Sequence, residues 1–285
     1  MNAGRPACVG VRRSAIGLWT AAILSLASCS TSLERDTLDI ATTTSVVNSG
    51  AMEALLPLFT SETGIRVRAH AAGSGRALAM LGDKVVNLVI SHAPQAEARA
   101  LAEHPEWRYQ KIATNQFLIV GPPADPADVR GATDAASAFR RIADAGAYFL
   151  SRGDGSGTHE REMELWNAAQ AKPHADRLLV SGTGMGASLR QANERNAYTL
   201  TDDATFMQLR DGLALQPLFA RDSRLVNSYA VVHDASPRGA RFAEWLATGN
   251  GRQALASYAT GGIQPFRVWP NGCPGGDPMA PLCES

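Results

Sequence analysis

Cysteine is scarce: four in 285 residues, two of them within the first 29. At most one pair, Cys273 and Cys283, remains for the body of the chain. An excess of charge is missing too, with 27 Lys and Arg against 27 Asp and Glu. Nucleic-acid-binding chains usually carry a basic surplus, so nucleic acid is not an expected partner. Beyond the N-terminal region there is no second long apolar run, and no internal repeat. No Gly-x-x-x-x-Gly-Lys-Ser/Thr phosphate loop occurs. The Gly-x-Ser-x-Gly elbow of a serine hydrolase is also missing, because Asp154 and Thr158 stand where its glycines would flank Ser156. His159 and His233 are available as bases, but a secreted hydrolase reading lacks its nucleophile turn. His70, His92 and Asp83 do not have metal-ligand spacing, and both histidines read as structural or supporting residues.

What is present begins at the N-terminus. Arg5, Arg12 and Arg13 precede an apolar run from Ala15 to Leu26, with no acidic residue before position 29. The run falls short of the ~20 residues of a membrane-spanning helix. A basic flank followed by a short apolar stretch is the pattern of a secretory signal. It ends in Leu26-Ala27-Ser28-Cys29, which resembles a bacterial lipobox. That resemblance implies a signal over residues 1–28, lipidation of Cys29, and a membrane-anchored protein in the periplasm or on the cell surface. Residues 29–36 then form a polar tether. The Arg12-Arg13 pair fits a twin-arginine signal poorly. Taking the three signal arginines from the 27 basic residues leaves 24 against 27 acidic, a net charge of −3. In an oxidising compartment Cys273 and Cys283, ten apart in a Pro- and Gly-rich tail, read as a disulfide. Zinc is the other reading of the pair, although the tail contains no His.

The remaining 257 or so residues alternate short apolar runs with amphipathic stretches. Strands are expected at 37–42, 65–69, 85–91, 117–120, 148–151, 178–180, 197–200 and 226–232. Helices are expected at 52–61, 75–81, 95–103, 132–145, 158–169, 186–194, 204–210 and 238–247. Such alternation predicts an α/β architecture with parallel strands. Ligands of such sheets bind beyond the carboxyl ends of strands, beside helix N-termini. Pro122-Pro123 and the polar stretch Ala220 to Arg224 are candidate crossovers between two lobes.

Four of the expected strand-to-helix turns share one chemistry: Thr42-Thr43-Thr44-Ser45, Gly73-Ser74-Gly75, Arg152 through Thr158, and Gly182-Thr183-Gly184-Met185-Gly186. Each offers hydroxyls, small residues and backbone N–H groups at a helix start. Those N–H groups have no partner within the helix and carry partial positive charge, so they stabilise an anion. Arg152 adds a full charge with a fork suited to oxyanion oxygens. Any one turn is equally explained as ordinary capping. Four in one chain point to an anion-binding cleft.

The chain resembles the tungstate-binding proteins of ABC transporters, relatives in fold of molybdate- and phosphate-binding proteins. The resemblance runs in order from about residue 38 to 235. Its carriers are Ala41 to Ser45, His92-Ala93-Pro94, Phe117 to Pro122, Ser151 to His159, Gly184 to Gly186 and Tyr198 to Asp202. It implies a two-lobed type II periplasmic-binding-protein fold with the ligand cleft between lobes. Lobe 1 would take residues 37–121, lobe 2 residues 122–224, and residues 225–285 would return to lobe 1 and form the tail. It also implies a monomer that does no chemistry, holds no cofactor and hands its anion to a permease. The anion would be met by Thr44, Ser45 and Ser74 from one lobe. From the other would come Arg152, Ser156, Gly157, Thr158, Met185, Gly186 and Thr199. The tungsten would be held as its oxyanion, with no direct protein ligation of metal. Molybdate, sulfate and phosphate are the alternative ligands. Two positions depart from the family pattern: Gly155 where an Asp is expected and Arg76 where a Gln is expected. Both changes make the cleft more positive. Asp154 is an acceptor that a protonated anion such as hydrogen phosphate would use, or else a support for its loop and for Arg152.

Overall fold

A single long strand, β4 (Arg108–Gly121), takes part in two different sheets. In this computed structural model, which describes residues 36–283, residues 108–116 of β4 pair antiparallel with β9 (Val226–His233). From Phe117 onward β4 pairs with β7 (Tyr198–Asp202) and with β8 (Gln216–Phe219). The change of partner thus lies inside the strand, ahead of Pro122-Pro123, and the prolines end the strand. The expected N-terminal signal and Cys29 lie outside the described residues. The residues from Leu38 onward form one compact unit that contains the helices and nearly all of the strands.

This unit has two halves that repeat one topology. The first half runs β2-β1-β3-β9-β4, with β1 (Thr37–Thr42), β2 (Arg66–Ala71) and β3 (Leu88–Ser91). The second runs β6-β5-β7-β4-β8, with β5 (Phe149–Ser151) and β6 (Leu178–Val180). β1 and β3 are parallel, as are β5, β6 and β7. In each half the next strand inward, β9 or β4, is antiparallel. The first half carries α1 (Thr44–Asn48), α2 (Ala51–Thr63), α3 (Ser74–Gly82) and α4 (Pro94–Glu103). The second carries α5 (Ala135–Asp144), α6 (Gly157–Ala169), α7 (Met185–Glu194) and α8 (Asp203–Leu209). Then α9 (Pro237–Ala247) and α10 (Asn250–Ser257) return to the first half. None of the described helices is long and apolar enough to cross a membrane.

Local chemistry explains most boundaries. α5 begins three residues later than the sequence predicts, because Asp134 and Ser137 form a reciprocal capping box there. Pro94 and Pro237 open α4 and α9, where a missing N–H costs nothing. The strand expected from Val85 starts only at Leu88, and Val85 is exposed. The first nine residues of β4, the strand β8 and the helix α10 are additions to the expected elements.

Each half has its own aromatic centre. Phe59, Phe242 and Trp245 cluster in the first, with Phe59 edge-on to both and its centroid 4.8 Å from that of Phe242. Phe139, Phe149 and Trp166 cluster in the second, with a closest centroid distance of 4.5 Å. At the end of the chain β10 (Arg267–Val268) adds to β4. Cys273 and Cys283 are disulfide-bonded, with Cα atoms 5.7 Å apart. Lys111 holds the tail by donating to Ala280 O and lies 4.7 Å over the Trp269 ring.

Phe59 is fully buried at the meeting point of α2 and α9. Phe59→Ala is expected to lower stability by about 3–5 kcal/mol, as large-to-small changes in well-packed cores do. Chemical denaturation of the two proteins measures it, and a loss under about 1 kcal/mol would contradict tight packing at this position.

Candidate functional site

The four turns singled out in the sequence follow β1, β2, β5 and β6, the first two strands of each half. Three of the helices they start lack the side-chain cap seen on α5, α8 and α9, as do α2, α4 and α10 elsewhere in the fold. α5, α8 and α9 begin with a side-chain cap from Asp134, Asp202 and Ser236. α1, α3 and α7 have N-cap residues Thr43, Gly73 and Gly184 that make no side-chain cap bond, and no acidic residue in the first turn. Their leading N–H groups are therefore open to an external acceptor. α6 is the exception, since Ser156 Oγ accepts from His159 N at 3.4 Å.

His92, at the end of β3, is where three turns meet. Its Nε2 lies 3.4 Å from Ser45 Oγ, and its backbone N–H donates to Ser74 Oγ at 3.5 Å. Across the cleft, Gly157 packs so closely that a Cβ there would overlap the His92 carbonyl oxygen and crowd Nδ1. Only glycine allows this approach of the α6 terminus. Burial, followed by the charge of Arg152, pushes His92 down to about 4, so the imidazole is neutral at physiological pH. Ser45 Oγ also lies 3.0 Å from Thr43 Oγ1. Thr44 opens α1 and is exposed, while Ser74 is fully buried.

Arg152 comes from the second half, directly after β5, and is 5% exposed. Its Nη2 pairs with Asp154 and its Nη1 lies 3.6 Å from Met185 Sδ, which joins the third turn to the fourth. Its Nε is buried with no hydrogen-bond partner in the protein. Both carboxylate oxygens of Asp154 are occupied, Oδ2 by Arg152 and Oδ1 by Ser156 N at 3.1 Å. Burial opposes ionisation of Asp154, but the bonds from Ser156 and the guanidinium outweigh it and hold the carboxyl below its ordinary range. Gly155 sits in this loop at φ 68°, left-handed backbone that glycine adopts freely. Its N–H donates to His159 Nδ1 at 3.1 Å, so His159 supports the loop. Thr158 is buried one residue into α6.

Gly186 and Ser45 line one cavity of about 110 Å³ between the halves, together with Asn115, Arg190, Asp202 and Tyr229. Thr199 stands apart, because its hydroxyl donates to Leu150 O at 2.8 Å within the sheet. Arg76 is exposed on α3. Among the described residues no group of three or more His, Cys, Asp and Glu is arranged to hold a metal ion.

One functional side chain is not among the residues expected from the sequence. Glu162 is 2% exposed, and its Oε2 accepts from Arg152 N at 3.2 Å. Burial pushes it up to about 7, despite hydrogen bonds from Ser151 and Arg152 that favour the charged form. A glutamate on the same helical stripe as Leu165, Trp166 and Ala169 was the available signal.

The arrangement is that of a binding protein whose two opposed sets of helix termini close on a small anion, and comparison with known proteins agrees. Residues 30–250 match the model of the PBP superfamily domain. The tungstate-binding protein TupA of Peptoclostridium acidaminophilum is 33% identical over 77% of this chain and 80% of its own length. The structure of the tungstate ABC transporter from Geobacter sulfurreducens is 32% identical, with TM-score 0.69 over 79% of this chain and 99% of that one. TupA from Desulfovibrio alaskensis G20 is also 32% identical, with TM-score 0.71 over 81% and 98%. The chain belongs to the PBP superfamily and, within it, to the family of ABC-transporter tungstate-binding proteins. It is a solute-binding protein with a type II fold rather than an enzyme.

The protonated, buried Glu162 gives a pH signature. Its folded value lies above the ordinary 4.5. The stability it contributes is therefore complete below 4.5 and is lost as pH rises through about 7. Glu162→Gln removes this dependence, so in anion-free protein the variant should gain on the wild type between about pH 4.5 and 7. Thermal unfolding across that range measures it, and parallel curves would contradict the assignment.

Proposed function

We propose that this protein captures tungstate outside the cytoplasm and delivers it to an ABC importer. The observation that carries this reading is the Arg152 guanidinium, buried with its Nε–H unpartnered and its Nη1 against Met185 at the uncapped start of α7. An unmet buried donor costs about 1–3 kcal/mol, and more when charged, so such a group fits a site built for an incoming acceptor. The ligand class follows from what the site offers. Donors surround it, while the nearby carboxylates are engaged: Asp154 by Arg152 and Ser156 N, Asp202 by Thr205, and Glu162 by Arg152 N. That favours a fully deprotonated oxyanion, as tungstate is, over hydrogen phosphate, which needs an acceptor for its proton. Relatives named as tungstate-binding proteins select tungstate within that class. The contacts we assign are Thr44, Ser45 and Ser74 from the first lobe. From the second come Arg152, Ser156, Gly157, Thr158, Met185 and Gly186. Thr199 acts through the sheet that holds them.

We further read the protein as a monomer attached to the membrane through lipid on Cys29. The support is the Arg-rich flank, the apolar run and the Leu26-Ala27-Ser28-Cys29 sequence. Lobe 1 would then be the half built on β1 to β3, and lobe 2 the half built on β5 to β7.

Calorimetry on the anion-free protein should give one tungstate per chain, displaced by molybdate and poorly by sulfate or phosphate. Arg152→Ala removes about 3 kcal/mol of charge-assisted bonding, roughly a hundredfold in affinity. Heat with phosphate alone, or a change under about threefold in the variant, would sink the assignment. Cys29→Ala is expected to shift the protein from the membrane to the soluble fraction in its native host, and continued sedimentation with membranes would refute the anchor.

A further inference from the structure

The cavity between the halves has a floor and a rim of different character. Asn115 and Asp202 lie buried at its floor, while Asn48, Arg190 and Gln208 are exposed at its edge. Asn48 comes from α1 of the first half, and the other two come from α7 and α8 of the second. Ser45 and Gly186, two of the contacts assigned to the anion, also line it. The cavity therefore joins the solvent-exposed rim to the anion site.

Arg190 is the rim residue that carries a charge. It lies one turn beyond Gly186 on α7, and helical side chains lean toward the N-terminus. Its Nη2 lies 4.0 Å from the point where a Cβ on Gly186 would stand, at the second residue of the helix. A cation is favoured beside the last turn of a helix and disfavoured beside the first. No acidic residue in the first turn of α7 offsets it. Among the described residues Arg190 has no hydrogen-bond or ion-pair partner. The carboxylate on the cavity floor, Asp202, is taken up in capping α8, where it accepts from Thr205 N at 2.8 Å and from Thr205 Oγ1 at 2.7 Å. The fold thus holds an unpaired cation against the positive end of a helix, at the edge of the cavity that reaches the anion contacts.

We infer that Arg190 is a recruiting residue: it draws oxyanions of double charge to the mouth of the interlobe cavity and speeds their capture, without choosing among them. An exposed charge acts through solvent over about a Debye length, roughly 8 Å at physiological salt. Placed at the entrance of a cleft, such a charge raises the rate of association with ligands of opposite sign. It does not sense the size of the anion or the direction of its lone pairs, which are read by the fixed donors deeper in. Recruitment and discrimination are separated in space, with an unpaired cation at the rim and a compensated one, Arg152, inside.

The role of Arg190 rests on the tungstate reading, and the test separates the two. Arg190→Gln removes the charge and keeps a polar side chain. Stopped-flow mixing of anion-free protein with tungstate or molybdate gives the association rate, and calorimetry gives the affinity. Near physiological salt the association rate should fall about threefold for both anions, with dissociation unchanged, so that both affinities fall by the same factor. In about 1 M salt, where the Debye length is about 3 Å, the loss should shrink below about 1.5-fold. Arg190→Lys should restore the rate, because the charge is kept. Arg177→Gln makes the same change of net charge ahead of β6, at the end away from the fourth turn, and should leave the rate unchanged. Where mixing gives no optical signal, the salt dependence of the calorimetric affinities decides. A loss carried by faster dissociation, or one that persists in high salt, marks a held contact and overturns the inference. So do an unchanged affinity, unequal losses for the two anions, or an equal loss in Arg177→Gln. A lower unfolding temperature of anion-free Arg190→Gln would mark a structural counterion for Asp202 and overturns it too. If the wild type binds neither anion, the functional reading fails first.

Discussion

A guanidinium can be buried only if its charge is answered, and the pairing of Arg152 with Asp154 meets that demand in a way that shapes its surroundings. The carboxylate that answers Arg152 also accepts from Ser156 N, which closes the loop between β5 and α6. Closing it in so few residues requires left-handed backbone, supplied by Gly153 and Gly155. The closed loop sets where α6 begins, and Gly157 at that start meets His92 of the other half. One ion pair thus links a charge, a turn, a helix terminus and the contact between halves.

Much of this was legible in the residues. Alternating apolar runs located most strands, because a strand buried on both faces, such as β3, must be apolar or small. The four turns were visible as Gly, Ser and Thr clusters after those runs. Whether they were caps or ligand loops was not visible, since both use the same residue types. Hydrogen bonding separates them only together with position: α1, α3 and α7 are uncapped, as are α2, α4 and α10, but the first three open at the ends of β1, β2 and β6.

What stayed illegible has a common cause: buried polar groups satisfied by partners distant in sequence. The stretch Arg108 to Gln116 shows no apolar alternation, yet it is strand, because Lys111 is met by the tail and Asn115 by Asn227 and Tyr229. Glu162 looks like a surface glutamate until Arg152 N is found against it. Thr199 reads as a donor until its hydroxyl is seen to hold Leu150 O. Val85 erred the other way: an apolar residue extended the expected strand into a turn at Lys84, where the backbone is left-handed.

The electrostatics of the cleft follow the same economy of charge. His92 is neutral, Glu162 is protonated below about 7, and Arg152 is paired. What remains to hold an anion is mostly dipolar: helix termini, hydroxyls and amide N–H groups at fixed positions. Such groups are preorganised by the fold, so they need little reorientation when the ligand arrives. Fixed dipoles distinguish anions by where protons lie and by size more than by net charge. A full unpaired charge would attract any anion of the right sign, phosphate and sulfate included. Keeping Arg152 compensated therefore shifts discrimination onto the hydroxyl and amide geometry. There the first half contributes adaptable hydroxyls and the second a rigid, glycine-built loop, and closure of one against the other at His92 and Gly157 completes the ring of donors.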